Sequence, residues 1–254
     1  MLKSFDVDSL PVRVYASQDD MSTAAAREVN DHLCGVIAEQ GAAAAILATG
    51  NSQMQFLEKL LAIGEVDWNK VTLFHMDEYL GLDADHSASF RRYMRERVES
   101  RVNPLVFHYL EGDALEPLRE CQRYAKLLAA QPIDLCCLGV GENGHIAFND
   151  PPVADFNDPE MVKIVQLDDV CRQQQHSEGH FPTFDAVPQS ALTLTIPALC
   201  RAKKMTCLCP ETRKAEVVKR ALQGEISEEC PVTYLRTQSQ CVLYLDQDSA
   251  SLLD

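Results

Sequence analysis

The sequence predicts an α/β fold: a doubly wound, mostly parallel sheet with helices on both faces, Rossmann-like in outline. Three observations carry this. Short apolar runs alternate along the chain with longer amphipathic segments, the pattern of strands joined by covering helices. The runs at 43–48, 133–138 and 205–209 are apolar almost throughout, as strands buried on both faces require. Several runs end in glycine-rich or acidic turns, and the carboxyl edge of such strands is where an open sheet builds its sites. The chain has 254 residues, 46% of them hydrophobic. That is enough for one domain spanning 1–254.

In order, a strand is expected at 12–16 and a helix at 18–40. A strand at 43–48 feeds the turn Thr49-Gly50-Asn51-Ser52. A helix follows at 53–63, with Met54, Phe56, Leu57, Leu60 and Leu61 on or near one face. A strand at 71–75 runs into Met76-Asp77-Glu78-Tyr79, and helices are expected at 87–101 and 115–131. The strand at 133–138 is followed at once by Gly139, Gly141, Gly144 and His145. The stretch 151–188 is polar and proline-rich with no long period. Such a segment inside a compact domain is often a lid, and a lid-like segment is expected at about 152–188. The remaining elements are strands at 191–196 and 205–209, a helix at 211–222 and a strand at 241–245.

Composition narrows the function. The net charge of −15 argues against a nucleic-acid backbone or an anionic membrane as partner. It does not exclude an anionic small molecule, which local amides and one or two cations can hold. No apolar run approaches the roughly 20 residues that span a bilayer, and the first residues lack the apolar segment of a signal peptide. The ten cysteines form no Cys-x-x-Cys pair and fit no disulfide framework in a chain this long. They read as small apolar core residues of a cytoplasmic protein, with no metal site expected.

Four constellations carry chemistry. Thr49, Gly50, Asn51 and Ser52 lie between a strand and a helix, where successive amides and hydroxyls make an anion site. Asn51 tolerates a left-handed backbone, and Ser52 is the natural helix cap. Asp77 and Glu78 follow a hydrophobic strand directly, and one of them, partly desolvated, would make a general base. In Gly141-Glu142-Asn143-Gly144-His145, with Asp150 five residues on, His145 is the side chain suited to moving protons near neutral pH. A carboxylate or amide partner would fix its tautomer. Thr212-Arg213-Lys214 opens the helix after the strand at 205–209, and Lys214 could add a cation to an anion held by the Ser52 turn.

These pieces together resemble the glucosamine-6-phosphate deaminase/isomerase family, which belongs with the 6-phosphogluconolactonases. The segments that match are LATGNSQM (47–54), FHMDEYLGL (74–82), HSASFRRYM (86–94), LGVGENGHIAFNDP (138–151), VPQSALTLTIPAL (187–199) and RKA (213–215), in the family's order and spacing. The lactonases share the fold and the first turn but differ in the second and third motifs. The resemblance implies conversion of glucosamine 6-phosphate to fructose 6-phosphate and ammonia, without metal or cofactor. Thr49, Gly50, Asn51 and Ser52 would hold the sugar phosphate with Lys214, and Glu78 would join the substrate contacts. Asp77 would shuttle a proton between C2 and C1. His145 would open the pyranose ring, oriented by Asn143 and Asp150, while Gly139 and Gly141 bring backbone close to the substrate. Hydrolysis of a 6-phosphogluconolactone and a sugar-phosphate sensor without turnover stay open as alternatives, as does a homo-oligomer.

The chain departs from the family pattern at Asp150, at Asn143, which is aspartate in many members and asparagine in others, and in the stretch 151–188. Asp150 stands where the family usually has glutamate, and the shorter acid is expected to reach His145 only through water or a shifted loop. The lid arginine of well-known deaminases is absent from Ser177-Glu178-Gly179-His180-Phe181-Pro182, so His180 or Arg172 is expected to face the phosphate. Val153 and Ala154 stand where small hydroxyls would contact an allosteric effector. No activation by N-acetylglucosamine 6-phosphate is therefore expected.

Overall fold

The computed structural model describes residues 1–253. The chain opens with a hairpin, β1 (Lys3–Val7) and β2 (Leu10–Tyr15), and continues into α1 (Gln18–Gln40), β3 (Ala43–Leu47), α2 (Asn51–Ile63), β4 (Val71–His75) and the short β5 (Asp77–Tyr79). A helical stretch follows: α3 (Phe90–Met94), a π turn (Arg95–Glu99) and α4 (Ser100–Val102). Then come β6 (Val106–His108), α5 (Pro117–Ala129), β7 (Leu135–Gly139), β8 (Val162–Gln166), α6 (Asp169–Ser177) and β9 (Ser190–Leu194). The chain finishes with α7 (Ile196–Leu199), β10 (Met205–Cys209), α8 (Ala215–Gln223) and β11 (Cys241–Asp246).

The main sheet has the order β1-β2-β11-β10-β7-β3-β4-β6. Every neighbouring pair is parallel except the β1–β2 hairpin. Its side chains divide with the two-residue period of a strand. Ala44, Ile46, Cys136, Leu138 and Phe74 join a core with α5 and α8 on one face. Ala45, Leu47, Leu135, Cys137 and Leu73 join a core with α1 and α2 on the other. This is the doubly wound arrangement. All ten cysteines are free thiols, and only Cys34 and Cys200 are not buried. Among the described residues, no helix is long and apolar enough to cross a membrane.

A second, antiparallel sheet, β5-β9-β8, stands beside the first. The stretch 152–188, which shows no long period in the sequence, holds β8 and α6. The α6 sequence, DVCRQQQHS, is too polar to display an apolar stripe, yet Cys171 and Gln175 are buried. An aromatic cluster fixes this layer. Tyr79 packs against Phe90, Phe148 and Phe181, with ring centroids 5.0, 5.2 and 5.3 Å apart. Each such pair adds about 0.5–1.5 kcal/mol beyond its burial. The Tyr79 hydroxyl donates to Gln175 Oε1 at 2.8 Å, tying β5 to α6.

Four helices start elsewhere than the sequence pattern suggests, the one expected at 115 beginning at Pro117. The one expected at 87 begins at Phe90, because Ser89 and Glu78 accept its first amides. The one expected at 53 begins at Asn51. The one expected at 211 is preceded by a 3-10 turn, Thr212–Lys214.

Candidate active site

After β3 the chain winds outward to β4 and β6; after β7 it winds the other way, to β10 and β11. β3 and β7 are neighbours, so the winding reverses between them. A crevice opens at the carboxyl ends of the strands at such a reversal. The cleft found there collects residues from the turns after β3, β4, β7 and β10, and from the segment that follows α6.

The turn after β3 forms one end. Thr49, Gly50, Asn51 and Ser52 all line the cleft. Gly50, not Asn51, takes the left-handed backbone, at φ +98°. No side chain caps α2; the Ser52 hydroxyl accepts from the Gln53 side chain at 3.3 Å instead of capping. The positive end of the α2 dipole is left for a ligand. Gly139 lies against this turn: a Cβ there would sit 3.1 Å from Ser52 Oγ. Lys214 reaches the cleft from the turn before α8. Its ammonium makes no hydrogen bond or ion pair with the described residues, and burial pushes its pKa down.

The loop after β7 carries a relay. His145 lines the cleft, with Nδ1 2.8 Å from Asp150 Oδ1. Asp150 therefore reaches the ring directly, and neither a water bridge nor a displaced loop is needed for the shorter acid. Asp150 is fully buried, and also accepts from Asn143 Nδ2 at 2.9 Å and the Asp168 amide at 3.0 Å. Burial pushes its pKa up, but the His145 charge and these donors outweigh burial and bring it below the usual carboxylate value. Asn143 Oδ1 accepts the His145 backbone amide at 3.0 Å, so one amide side chain orients both ends of the relay. Gly141 is required here: a Cβ would lie 2.2 Å from His145 Cε1. Cys171 Sγ joins His145 and Asp150 within 4.8 Å, the only such cluster of potential metal ligands among the described residues. Burial, and then Asp150, push the thiol pKa well up, which keeps it protonated and a poor ligand.

Asp77 enters the cleft from β5 and is treated in the opposite way. It is buried, and its Oδ1 has no hydrogen-bond partner. Burial first, and the Glu78 charge second, raise its pKa well above the usual value. The residue before the turn, His75, is fully buried and accepts the Leu110 amide at Nε2, 2.9 Å. Burial lowers its pKa to about 3, so it is neutral and adds no charge beside Asp77.

Four of the expected site residues do not line the cleft: Asn143 and Asp150 stand behind His145, and Glu78 and Arg172 serve elsewhere. Glu78 turns away from the cleft and accepts from the amides of Tyr79, Phe90 and Arg91 and from the Ser89 hydroxyl. It caps α3 rather than binding a ligand. Arg172 donates to the carbonyls of Phe184 and Val187 at 3.3 and 3.1 Å, and its guanidinium lies over the Phe184 ring. It holds the segment after α6 together. His180 does line the cleft, with Nε2 3.3 Å from Glu178 Oε2. The structure adds Tyr93, Gln174, Glu178 and Arg213 to the lining. Tyr93 and Arg213 lie inside segments already singled out in the sequence. Gln174 and Glu178 belong to the polar stretch whose helix had no visible period.

A family model described as glucosamine-6-phosphate isomerases/6-phosphogluconolactonase matches residues 16–244. A glucosamine-6-phosphate deaminase of Bacillus cereus (strain B4264) is 35% identical over 206 residues, 81% of this chain and 76% of that protein. A glucosamine-6-phosphate deaminase of Bacillus thuringiensis (strain Al Hakam) is 34% identical over the same length and shares. Among solved structures, a monomeric glucosamine-6-phosphate deaminase superposes with a TM-score of 0.87 at 30% identity, over 95% of this chain and 99% of that one. A 6-phosphogluconolactonase from Shewanella baltica shares the fold, with a TM-score of 0.77 at 16% identity, over 95% and 99% of the two chains.

Proposed function

The chain belongs to the family of glucosamine-6-phosphate isomerases and 6-phosphogluconolactonases, and from that membership we propose that it is an amino-sugar-6-phosphate deaminase acting by aldose–ketose isomerisation. The substrate is glucosamine 6-phosphate, and the products are fructose 6-phosphate and ammonia. The observation that carries this reading is the unpartnered, buried Asp77 carboxylate in the same cleft as the His145–Asp150 relay. Isomerisation needs one base that serves two adjacent carbons. Ring opening needs a second group that can give and take a proton at the ring oxygen.

His145, held by Asp150, moves that second proton and opens the pyranose to the aldehyde. Asp77 then removes the proton from C2 and returns it to C1. The amine on C2 becomes an imine, water adds to it, and ammonia leaves, so one water is consumed for each ammonia released. Burial raises the Asp77 pKa well above the usual carboxylate value. The ammonium on C2 sits one bond from the reacting carbon, and its positive charge favours the ionised carboxylate when substrate is bound. The same burial makes the carboxylate a stronger base than a solvated one. The phosphate lies on the open end of α2, with Thr49, Ser52 and Lys214 around it. His180 is the one lid residue expected at the phosphate that faces the cleft. The sugar phosphate is the partner this site accommodates; oligomeric state does not enter the mechanism.

The test is ammonia release from glucosamine 6-phosphate, with fructose 6-phosphate followed by a coupled dehydrogenase. Turnover that Asp77→Asn and His145→Ala both abolish supports the reading. Lactone hydrolysis that survives Asp77→Asn would instead make the protein a lactonase, since attack of water on a lactone needs no base at C2.

A further inference from the structure

Arg213 was read from the sequence only as the neighbour of Lys214. In the structure it is the most constrained cation of the cleft. Its Nε donates to Glu211 Oε2 at 2.6 Å. Its Nη1 donates to Glu178 Oε1 at 2.6 Å and to Glu142 Oε1 at 3.1 Å. These three carboxylates come from the turn after β10, the end of α6 and the glycine loop after β7. They occupy the Nε proton and both Nη1 protons. Nη2 donates to no described residue, so two of the five guanidinium protons are uncommitted. The side chain lines the cleft, is about one-third exposed, and is adjacent in sequence to Lys214.

Glu178 is the central anchor. Besides Arg213 it accepts Gln174 Nε2 at 2.8 Å, and its Oε2 lies 3.3 Å from His180 Nε2. Burial raises its pKa, but His180, Arg213 and Gln174 outweigh that and bring it to about 2, so it stays ionised. It occupies the Ser177–Pro182 stretch in which the sequence lacks the expected lid arginine. A carboxylate there would repel an arriving phosphate unless a cation masked it. Arg213 does so through Nε and Nη1 and keeps Nη2 for a ligand. Side chains fixed in this way lose little entropy on binding, and the charged Nη2 group can donate a charge-assisted hydrogen bond to a phosphate oxygen.

We propose that Arg213 is a specificity-determining residue: with Lys214 it recognises the phosphate of the sugar substrate, through the Nη2 protons that Glu142, Glu178 and Glu211 leave free. The inference rests on the sugar-phosphate reading above and names the residue that replaces the missing lid cation. Glu178 is then a positioning residue, which acts on the phosphate only through Arg213.

The experiment uses Arg213→Ala and Arg213→Lys in the full chain, with two readouts. One is steady-state turnover of glucosamine 6-phosphate. The other is the rise in melting temperature that inorganic phosphate produces in the absence of sugar. Loss of one charge-assisted pair of hydrogen bonds should raise KM about 10- to 100-fold in Arg213→Ala and change kcat less than about threefold. The phosphate-induced rise should largely disappear, and Arg213→Lys, which keeps the charge without the fork, should fall between. A structural latch alone would lower the melting temperature without phosphate, yet leave the phosphate-induced rise intact; that result overturns the proposal. So does an unchanged KM in both variants, or a wild-type protein that phosphate does not stabilise. If wild type turns over no amino sugar phosphate but loses its phosphate response in Arg213→Ala, the deaminase reading falls and the role of Arg213 stands.

Discussion

Asp77, at the start of β5, and Asp150, in the loop after β7, are both buried acids associated with one cleft. Asp150 is contacted by a ring nitrogen, an amide side chain and a backbone N–H. Asp77 presents an oxygen with no partner at all. The first therefore sits below the ordinary carboxylate pKa and the second well above it. Burial is comparable in the two places; the polar partners that the fold supplies differ. A carboxylate with its hydrogen bonds filled holds a charge and orients a neighbour. One left unfilled is poised to take up a proton and release it. In the proposed reaction the two acids would divide the work of proton transfer, Asp77 carrying the proton and Asp150 orienting His145.

The comparison can be broken most directly at β5. Asp77→Asn removes the proton carrier and keeps the shape, so kcat should fall about 10²- to 10⁴-fold, as for removal of a general base, with a circular dichroism spectrum like that of wild type. Residual deamination close to the wild-type rate would end the assignment of Asp77. At the loop, Asp150→Ala leaves Asn143 and the Asp168 amide without their shared acceptor, and His145 without the carboxylate beside its ring. Breaking a buried pair of this kind costs about 3–5 kcal/mol. At about 2–4 °C per kcal/mol in a chain of this size, the midpoint of thermal unfolding should drop by several degrees and activity should fall with it. A melting point within a degree of wild type would mean that the relay contributes nothing to the fold.

A third prediction sharpens the contrast through pH. Asp150, with a lowered pKa, stabilises the fold above the usual carboxylate range and loses that contribution as pH falls through its folded value. Asp77, with a raised pKa, is uncharged in the fold at low pH and costs stability as pH rises toward its folded value. The melting temperature of Asp77→Asn relative to wild type should therefore increase as pH rises from about 4 to 8. A difference that is flat across that range would show Asp77 to be ionised at no cost. The smallest effect concerns Glu78, whose charge is the second cause of the raised Asp77 value. Glu78→Gln should move the acid limb of kcat/KM to lower pH, by less than about one unit, whatever it does to the amplitude through α3. A limb displaced the other way would remove Glu78 from the account.

Much of this was legible in the sequence because the central strands are apolar on both faces and end in residues with few other uses. Runs such as AAAIL and MTCLC mark β3 and β10 without help from any partner. Glycines 139 and 141, His145 and Asp77 follow strands directly, and the sheet delivers them to one edge. What could not be read depends on tertiary partners. β1 is largely exposed and exists only by pairing with β2. β8 and α6 were hidden because each buries only part of its surface against the Tyr79 cluster. Glu78 and Asp77 are adjacent acids in sequence, and only the position of the α3 amides tells the cap from the base. Arg172 and Arg213 are both arginines with partners at the end of α6 and just after it; the Phe184 ring claims one and three carboxylates leave the other facing the cleft.

The cysteines have a practical consequence. With eight thiols sealed in the interior and burial pushing Cys137 and Cys209 up to about 12, alkylating reagents meet almost no thiolate on the folded surface. Each buried sulfur becomes reactive only when its part of the molecule opens. The chain therefore carries its own set of dosimeters. The order in which Cys171 beside the relay, Cys230 beneath Gly144 and Cys207 in the sheet are labelled would rank how often each layer exposes itself to water.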